Sequence, residues 1–363
     1  MTSDYQESFI RIIRLGIGHY TEALSGSVNW KEIQALAERQ GLAGIIVDGT
    51  EQLPDSQRPP KEDLLQMIGQ VVQGYEYRYE LYRRVVAELA RFYREHDIKM
   101  MTLKGYACSL DWPKPEHRPC GDIDIWLFGK QKEGDFLLET EKGIKVDKSH
   151  HHHTVFEWSG FTVENHYDFV NVYAHKSSAE LEKVFKELGA DDSHFVKIKD
   201  TSTGSVTKVY LPSPNLHALF LIRHMVSHFA ASEISLRQVL DWAFFVEKHT
   251  KEIDWEWLLG VLDKYHMRDF FNLINAICIE DLGFRAEIFP MVQFLPELKE
   301  RVLEDILEPA YSTAEPARLF PRIVYKYRRW QGNAWKQKLC YSESRWESFW
   351  KGLWAHILKP SSL

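Results

Sequence analysis

Cysteine is scarce here and badly spaced for any joint task. The four thiols, Cys108, Cys120, Cys278 and Cys340, include no Cys-x-x-Cys pair, which leaves no basis for a disulfide framework or a cysteine zinc site. Long apolar runs are missing too: none approaches the ~20 residues that span a bilayer. The opening Met1-Thr2-Ser3-Asp4-Tyr5-Gln6-Glu7 lacks the basic start and apolar stretch of a secretory leader. A reduced, cytoplasmic setting without a membrane partner is expected. Positive charge is not in excess either, since the net charge is -7 and the pI near 6.2, and this excludes a generic nucleic-acid coat. No Gly-x-Gly-x-x-Gly follows the first strand, and strands do not alternate regularly with long helices, so a dinucleotide-binding sheet is excluded.

What is present is a change of texture along 363 residues, a length sufficient for two or three domains that each bury a core. Phe9, Ile12, Ile13, Ile17 and Tyr20 mark one face of a helix from Asp4 to about Leu24. Asn29 is placed to cap a second helix that ends near Gly41. After a break at Pro54, Pro59 and Pro60, apolar residues recur every three or four positions from Leu64 to Tyr93. That is the period of a long amphipathic helix, weakened locally by Gly69 and Gly74. Its tyrosines read as core. Short strands and turns occupy the region from about Ile98 to Pro212, including a hairpin around Ser159-Gly160 and a strand at 205–211. Helices return with Asn215 as a cap, continue through 236–242, restart after Asp254, and close with 268–282 before Gly283. The expected class is α+β: a small mixed sheet at 98–212 between helical regions at 1–97 and 213–363.

The chemistry concentrates in the sheet region. An apolar strand ends in Leu103-Lys104-Gly105, and a later stretch reads Arg118-Pro119-Cys120-Gly121-Asp122-Ile123-Asp124-Ile125. Strand residues i and i+2 face one side, so Asp122 and Asp124 would project together while Ile123 and Ile125 enter a core. Two adjacent carboxylates repel, and one retains its proton unless a cation sits between them. Mg²⁺ suits such a pair, because it takes a few carboxylate oxygens and leaves positions for substrate phosphates. Two solvated aspartates at a strand end is the simpler alternative.

Lys-Gly, then Arg-x-x-Gly-Asp-Ile-Asp, then the strand Phe161-Thr162-Val163-Glu164-Asn165-His166-Tyr167 with its Glu-x-His, together resemble an uncharacterised bacterial nucleotidyltransferase family. That family belongs to the superfamily of DNA polymerase beta and the aminoglycoside nucleotidyltransferases. The chain departs from the wider pattern by carrying Lys104-Gly105-Tyr106 where Gly-Gly or Gly-Ser is usual, so no serine stands there to contact a triphosphate. The resemblance implies a nucleotidyltransferase palm. It also implies two Mg²⁺ ions held by Asp122, Asp124 and Glu164, an ATP-like nucleoside triphosphate as substrate, and transfer of NMP to a hydroxyl of an unidentified acceptor. Glu164 would be the third metal ligand or the base that takes the acceptor's proton. Lys104 and Arg118 would meet phosphate oxygens. Gly105 and Gly121 would let backbone approach the nucleotide. A nucleotide-binding sensor or antitoxin-like module on the same fold is the alternative.

Other features carry weaker expectations. His150-His151-His152-His153 reads as a solvated loop, with His153 nearest the Glu164 hairpin, although such a run can bind transition metals. His166 shares a strand face with Glu164 and is placed to orient it. His224 and His228 lack the His-Glu-x-x-His arrangement of a zinc helix. Arg237 and Asp241, four apart, suggest a simple ion pair. The basic, aromatic tail after Pro316 is expected to pack its rings inward with its cations in solvent. Binding to a nucleic-acid end remains a less favoured use of it.

Overall fold

A computed structural model of the chain describes residues 4–344 and 346, apart from 21–23, 25–27, 174, 176, 200–203, 291–292, 312–315 and 317. Two compact units emerge. One combines Met1–Glu76, Asp111–Arg118 and Leu221–Ser342; the other combines Tyr77–Leu110, Pro119–Phe220 and Glu343–Leu363. The division on the N-terminal side falls at Glu76, not at residue 97, because the last helix before the sheet belongs to the sheet's own core. The long amphipathic segment is helical as its period requires, but in pieces: Lys61–Val71, a π-helical turn Val72–Glu76 containing Gly74, and Tyr77–Glu95.

In the helical unit, Asp4–Gly16 lays Phe9, Ile12 and Ile13 against Ile45 and Ile46 of the helix Ala43–Glu51. The backbones nearly touch. A Cβ on Gly16 would stand 2.2 Å from the Ile45 carbonyl oxygen, and one on Gly49 2.0 Å from that of Ile12. The first helix stops at Gly16, well short of Leu24, and Tyr20 is exposed. Asn29 accepts a hydrogen bond from the Glu32 amide, and Gly41 ends the helix Trp30–Gln40 in the left-handed conformation at φ 66°. Asp254 caps Trp255–Lys264 by accepting from the Trp257 amide. Asn215 is not a cap: the helix begins at Pro214, a residue suited to a first turn because it has no amide hydrogen to satisfy. In the tail, Trp335 packs on Phe229 and Lys336 is buried, donating to the Ser232 carbonyl at 2.7 Å. Phe320, Ile323 and Tyr327 are exposed, so the expected division of rings inward and cations outward is only partly followed.

The sheet unit carries β1 (Met101–Thr102), β2 (Ile123–Trp126), β3 (His153–Trp158), β4 (Phe161–His166), β5 (Phe195–Lys199) and β6 (Val206–Tyr210) in the order β3-β4-β2-β1-β6-β5. Antiparallel hairpins form both edges, while β2 runs parallel to β4 and β1 parallel to β6. The architecture is therefore an open mixed sheet within an α+β fold. Tyr82, Val86, Leu89 and Tyr93 from the helix Tyr77–Glu95 share one buried cluster with Ile123, Ile125, Leu127, Val163 and Val209 from the sheet. β5 and the helices Gln131–Glu141 and Ser178–Leu188 were not foreseen in the sequence.

Arg118 and Asp241 lie within the helical unit and are each about 4 % exposed. The guanidinium grips the carboxylate with both arms, Nε to Oδ1 at 2.7 Å and Nη2 to Oδ2 at 2.8 Å, and Trp112 donates to Oδ1 at 2.8 Å. Asp241, expected to pair with Arg237, is held in a buried pair with Arg118, and the Arg237 charge acts on it as well. Burial alone would raise the Asp241 carboxyl, but the Arg118 charge and hydrogen bonds outweigh it and hold the pKa below the ordinary carboxylate range. Asp241→Ala should destabilise the protein by about 3–5 kcal/mol, because it leaves a buried guanidinium uncompensated. The pair's stabilisation is full above the unfolded carboxyl value near ~3.9 and is lost as pH falls through the depressed folded value. Denaturant melts at neutral and acid pH should show a shallower acid dependence in Asp241→Asn than in the parent.

Candidate active site

Parallel pairing of β2 and β4 sets Asp124 opposite Glu164 and Trp126 opposite His166. Side chains alternate along a strand, so Asp124, Glu164 and His166 share a face while Ile123, Ile125 and Val163 fill the core behind them. Lys104, in the turn after β1, reaches Asp124 Oδ1 at 2.7 Å. His166 Nε2 lies 3.2 Å from the same oxygen and 3.5 Å from Glu164 Oε2. Asp124 is only 5 % exposed, whereas Asp122 sits just before β2 on the surface. The two aspartates are therefore unequal, one inside the strand and one at its mouth.

Their titration separates accordingly. Burial pushes Asp124 up, but the Lys104 charge and the His166 hydrogen bond together hold it far below the usual carboxylate range. Asp122 is raised, first by desolvation and then by the negative charges of Glu164 and Asp124, with Lys104 opposing. For Glu164 burial is outweighed by the His166 hydrogen bond and by nearby His153 and Lys104, and its net direction is down. Burial would lower His166, yet Asp124 and Glu164 keep its value raised.

The approach to Asp122 is braced from the helix Tyr77–Glu95. Arg78 Nε donates to the Cys120 carbonyl at 3.1 Å, and the Tyr82 hydroxyl donates to the Asp122 carbonyl at 2.9 Å. That hydroxyl fills the space beside Gly105, where a Cβ would stand 2.2 Å from it, and Gly105 holds φ 48° with ψ -96°. Glycine is required here twice over, by conformation and by space. Gly121 is different: it is exposed, and a Cβ there would meet nothing within 4 Å.

Of the residues singled out in the sequence, Lys104, Gly105, Asp122, Asp124 and Glu164 come together in the sheet unit. The Arg118 guanidinium is bound by Asp241 in the helical unit. Sequence reasoning missed Arg78 and Tyr82 as braces; the helical period marked Tyr82 for burial, and nothing in it signalled a carbonyl partner for either. His153 is 7 % exposed and not part of a solvated loop. Among the described residues, the ligand atoms of Asp124, Glu164 and His166 lie within 4.8 Å of one another, as do those of His152, His153 and His166. Two carboxylates with Asp122 at their edge fit a hard divalent cation, while the imidazole adds a donor that Mg²⁺ seldom uses.

An acidic pair on parallel strands, with a lysine-glycine turn at its mouth and an open mixed sheet behind it, defines a nucleotidyltransferase-type palm. A family profile described as uncharacterised nucleotidyltransferase matches residues 26–282. The chain belongs to that family. Two solved structures are similar to it at a distance. An antigenic nucleotidyltransferase-like protein from Paracoccidioides brasiliensis shares 13% identity at a TM-score of 0.31, covering 56% of this chain and 92% of its own. A tRNA nucleotidyltransferase crystallised with a primer tRNA and an incoming ATP analogue shares 12% identity at a TM-score of 0.23, covering 75% of this chain and 90% of its own. Among curated proteins no relative matches. No helix among the described residues is long and apolar enough to cross a membrane.

Gly105→Ala should destabilise the protein by about 1–3 kcal/mol through backbone strain, while Gly121→Ala should stay within about 0.5 kcal/mol of the parent. Thermal melts of the two variants check this contrast.

Proposed function

We propose that the chain transfers a nucleoside monophosphate from a nucleoside triphosphate to a hydroxyl acceptor, with Mg²⁺ as cofactor. The observation that carries this reading is the placement of Asp124 beside Glu164 on paired strands, with Lys104 at 2.7 Å and the Gly105 turn next to them. Asp122, Asp124 and Glu164 would hold two divalent ions. When bound, such ions neutralise the triphosphate and clamp the attacking and leaving oxygens. Lys104 is the cation on hand for phosphate oxygens, and it would exchange Asp124 for them as metal takes over the carboxylate. Glu164, partly exposed beside the buried aspartate, is suited to take the proton of the acceptor hydroxyl. Arg118 has no part in this scheme, because withdrawing it would strand Asp241.

A second reading draws on the closure around Asp124, whose carboxylate already carries both Lys104 and His166. A palm held in that state would bind nucleotide without turning it over, as a sensor or interaction module.

The two readings separate in one experiment. The protein is incubated with each labelled triphosphate, Mg²⁺ and a pool of small hydroxyl-bearing metabolites, and pyrophosphate release is followed beside calorimetric nucleotide binding. Transfer predicts release that Asp122→Ala or Asp124→Asn lowers by at least ~10²-fold, the scale of losing one preorganised charge at a reacting centre. Tight binding with no release, unchanged in Asp124→Asn, would favour the sensor. Neither binding nor release with any nucleotide would overturn both.

A further inference from the structure

The transfer proposed above does not use the histidine run, part of which the fold gathers on one sheet face. His153 of β3 pairs directly with His166 of β4 in the antiparallel register, so their rings share a face at a centroid separation of 5.3 Å. His152 lies just outside the strand, where strict alternation no longer applies. Its carbonyl accepts the Tyr167 and Asp168 amides at 3.0 and 3.1 Å, which fixes its backbone beside the same pair. Its ring then stands 4.4 Å from that of His153 and 5.7 Å from that of His166.

We propose that His152, His153 and His166 form a binding site for a borderline divalent transition-metal ion of the Zn²⁺ or Co²⁺ class. One ligand nitrogen from each ring falls within 4.8 Å of the other two, close enough for a single ion to bridge. The second observation is an unsatisfied group. His153 is 7 % exposed, and its Nδ1 has no hydrogen-bond partner, nor has the buried Nδ1 of His152. Buried polar atoms ordinarily find a partner, and an imidazole lone pair finds one in a metal ion. The donor type selects the metal: imidazole suits zinc, cobalt, nickel and copper, whereas Mg²⁺ prefers oxygen.

The surroundings agree. Burial, followed by the charges of the neighbouring imidazoles, brings His152 down to about 2, and burial brings His153 down to about 4 against the pull of Glu164. His166 Nδ1 lies 3.3 Å from the Asp168 carbonyl oxygen, the kind of backbone contact that orients a metal-bound imidazole through its other nitrogen. Glu164 Oε1, 3.8 Å from His153 Nε2, is within reach to serve as a fourth donor. The site borders the carboxylate group at His166 and Glu164 and is argued without reference to nucleotide.

Untagged, metal-free protein titrated with Co²⁺ and then Zn²⁺, with no nucleotide present, tests the assignment through visible d–d absorption and calorimetry. One equivalent is expected, with Zn²⁺ displacing Co²⁺. His153→Ala and the half-buried His152→Gln should each weaken binding by at least ~10-fold, no less than disturbing a ligand's outer-shell partner does. The double variant His224→Ala/His228→Ala should retain it. Circular dichroism and an unchanged melting profile in His152→Gln separate loss of a ligand from loss of fold. Binding that survives both histidine variants but disappears in Asp124→Asn would assign the ion to the carboxylates and overturn the proposal. Loss with the His224/His228 pair, or no saturable binding, would do the same. Because nucleotide is absent throughout, a negative result here leaves the transferase reading standing.

Discussion

The arrangement depends on a repulsion that the sheet enforces and its neighbours neutralise. Parallel pairing places the carboxylates of Asp124 and Glu164 side by side, and one of them is almost wholly withdrawn from water. Isolated buried carboxylates would take up protons instead of tolerating this. Lys104 from the turn after β1 and His166 from two residues beyond Glu164 supply the compensating charge and hydrogen bonds. Remove the strand register and the charges separate; remove the cations and the register itself becomes unfavourable. Structure and electrostatics here are a single constraint.

That constraint is braced by a helix whose side chains reach the backbone beside the carboxylates. Tyr77–Glu95 fills the sheet's core with Tyr82, Val86, Leu89 and Tyr93, which explains its burial pattern. Its first turns also send Arg78 and Tyr82 to the carbonyls of Cys120 and Asp122. The same Tyr82 ring occupies the space that a side chain on Gly105 would need. Core packing thereby fixes both approaches to the acidic pair, and the tyrosine stripe that reads as bland in the sequence proves to be core and brace together.

How much of this was legible follows from the range of each interaction. Asn29, Gly41, Asp254 and the Ser159-Gly160 turn act on their own neighbours, so their residue types announce them. Asp122, Asp124 and Glu164 stand out in the sequence through the Asp-x-Asp spacing of one strand and through the Glu-x-His strand of the resemblance. Nothing near Arg118 in the sequence announces its ion pair, because Asp241 is more than a hundred residues away. The histidine run was read as solvated since polar runs usually are. Only His153 is buried, by its hairpin partner His166 and by the backbone that Tyr167 and Asp168 hold beside it, none of which a local pattern expresses. β5 and the helix Ser178–Leu188 carry the periods of their elements, Val196 with Ile198 and Leu181 with Phe185 and Leu188, and were nonetheless not foreseen.

The turn joining β3 to β4 has a consequence beyond its size. Only Ser159 and Gly160 separate the paired Trp158 and Phe161, both with positive φ, as a two-residue hairpin loop demands. Strand pairing slips in whole residues, and each slip exchanges the two faces. Inserting or deleting one residue at this tip would carry His153 to the opposite side of the sheet and turn Thr154 toward His166. The alignment of the imidazoles with the acidic pair is thus a matter of counting, kept by a bend some distance from either.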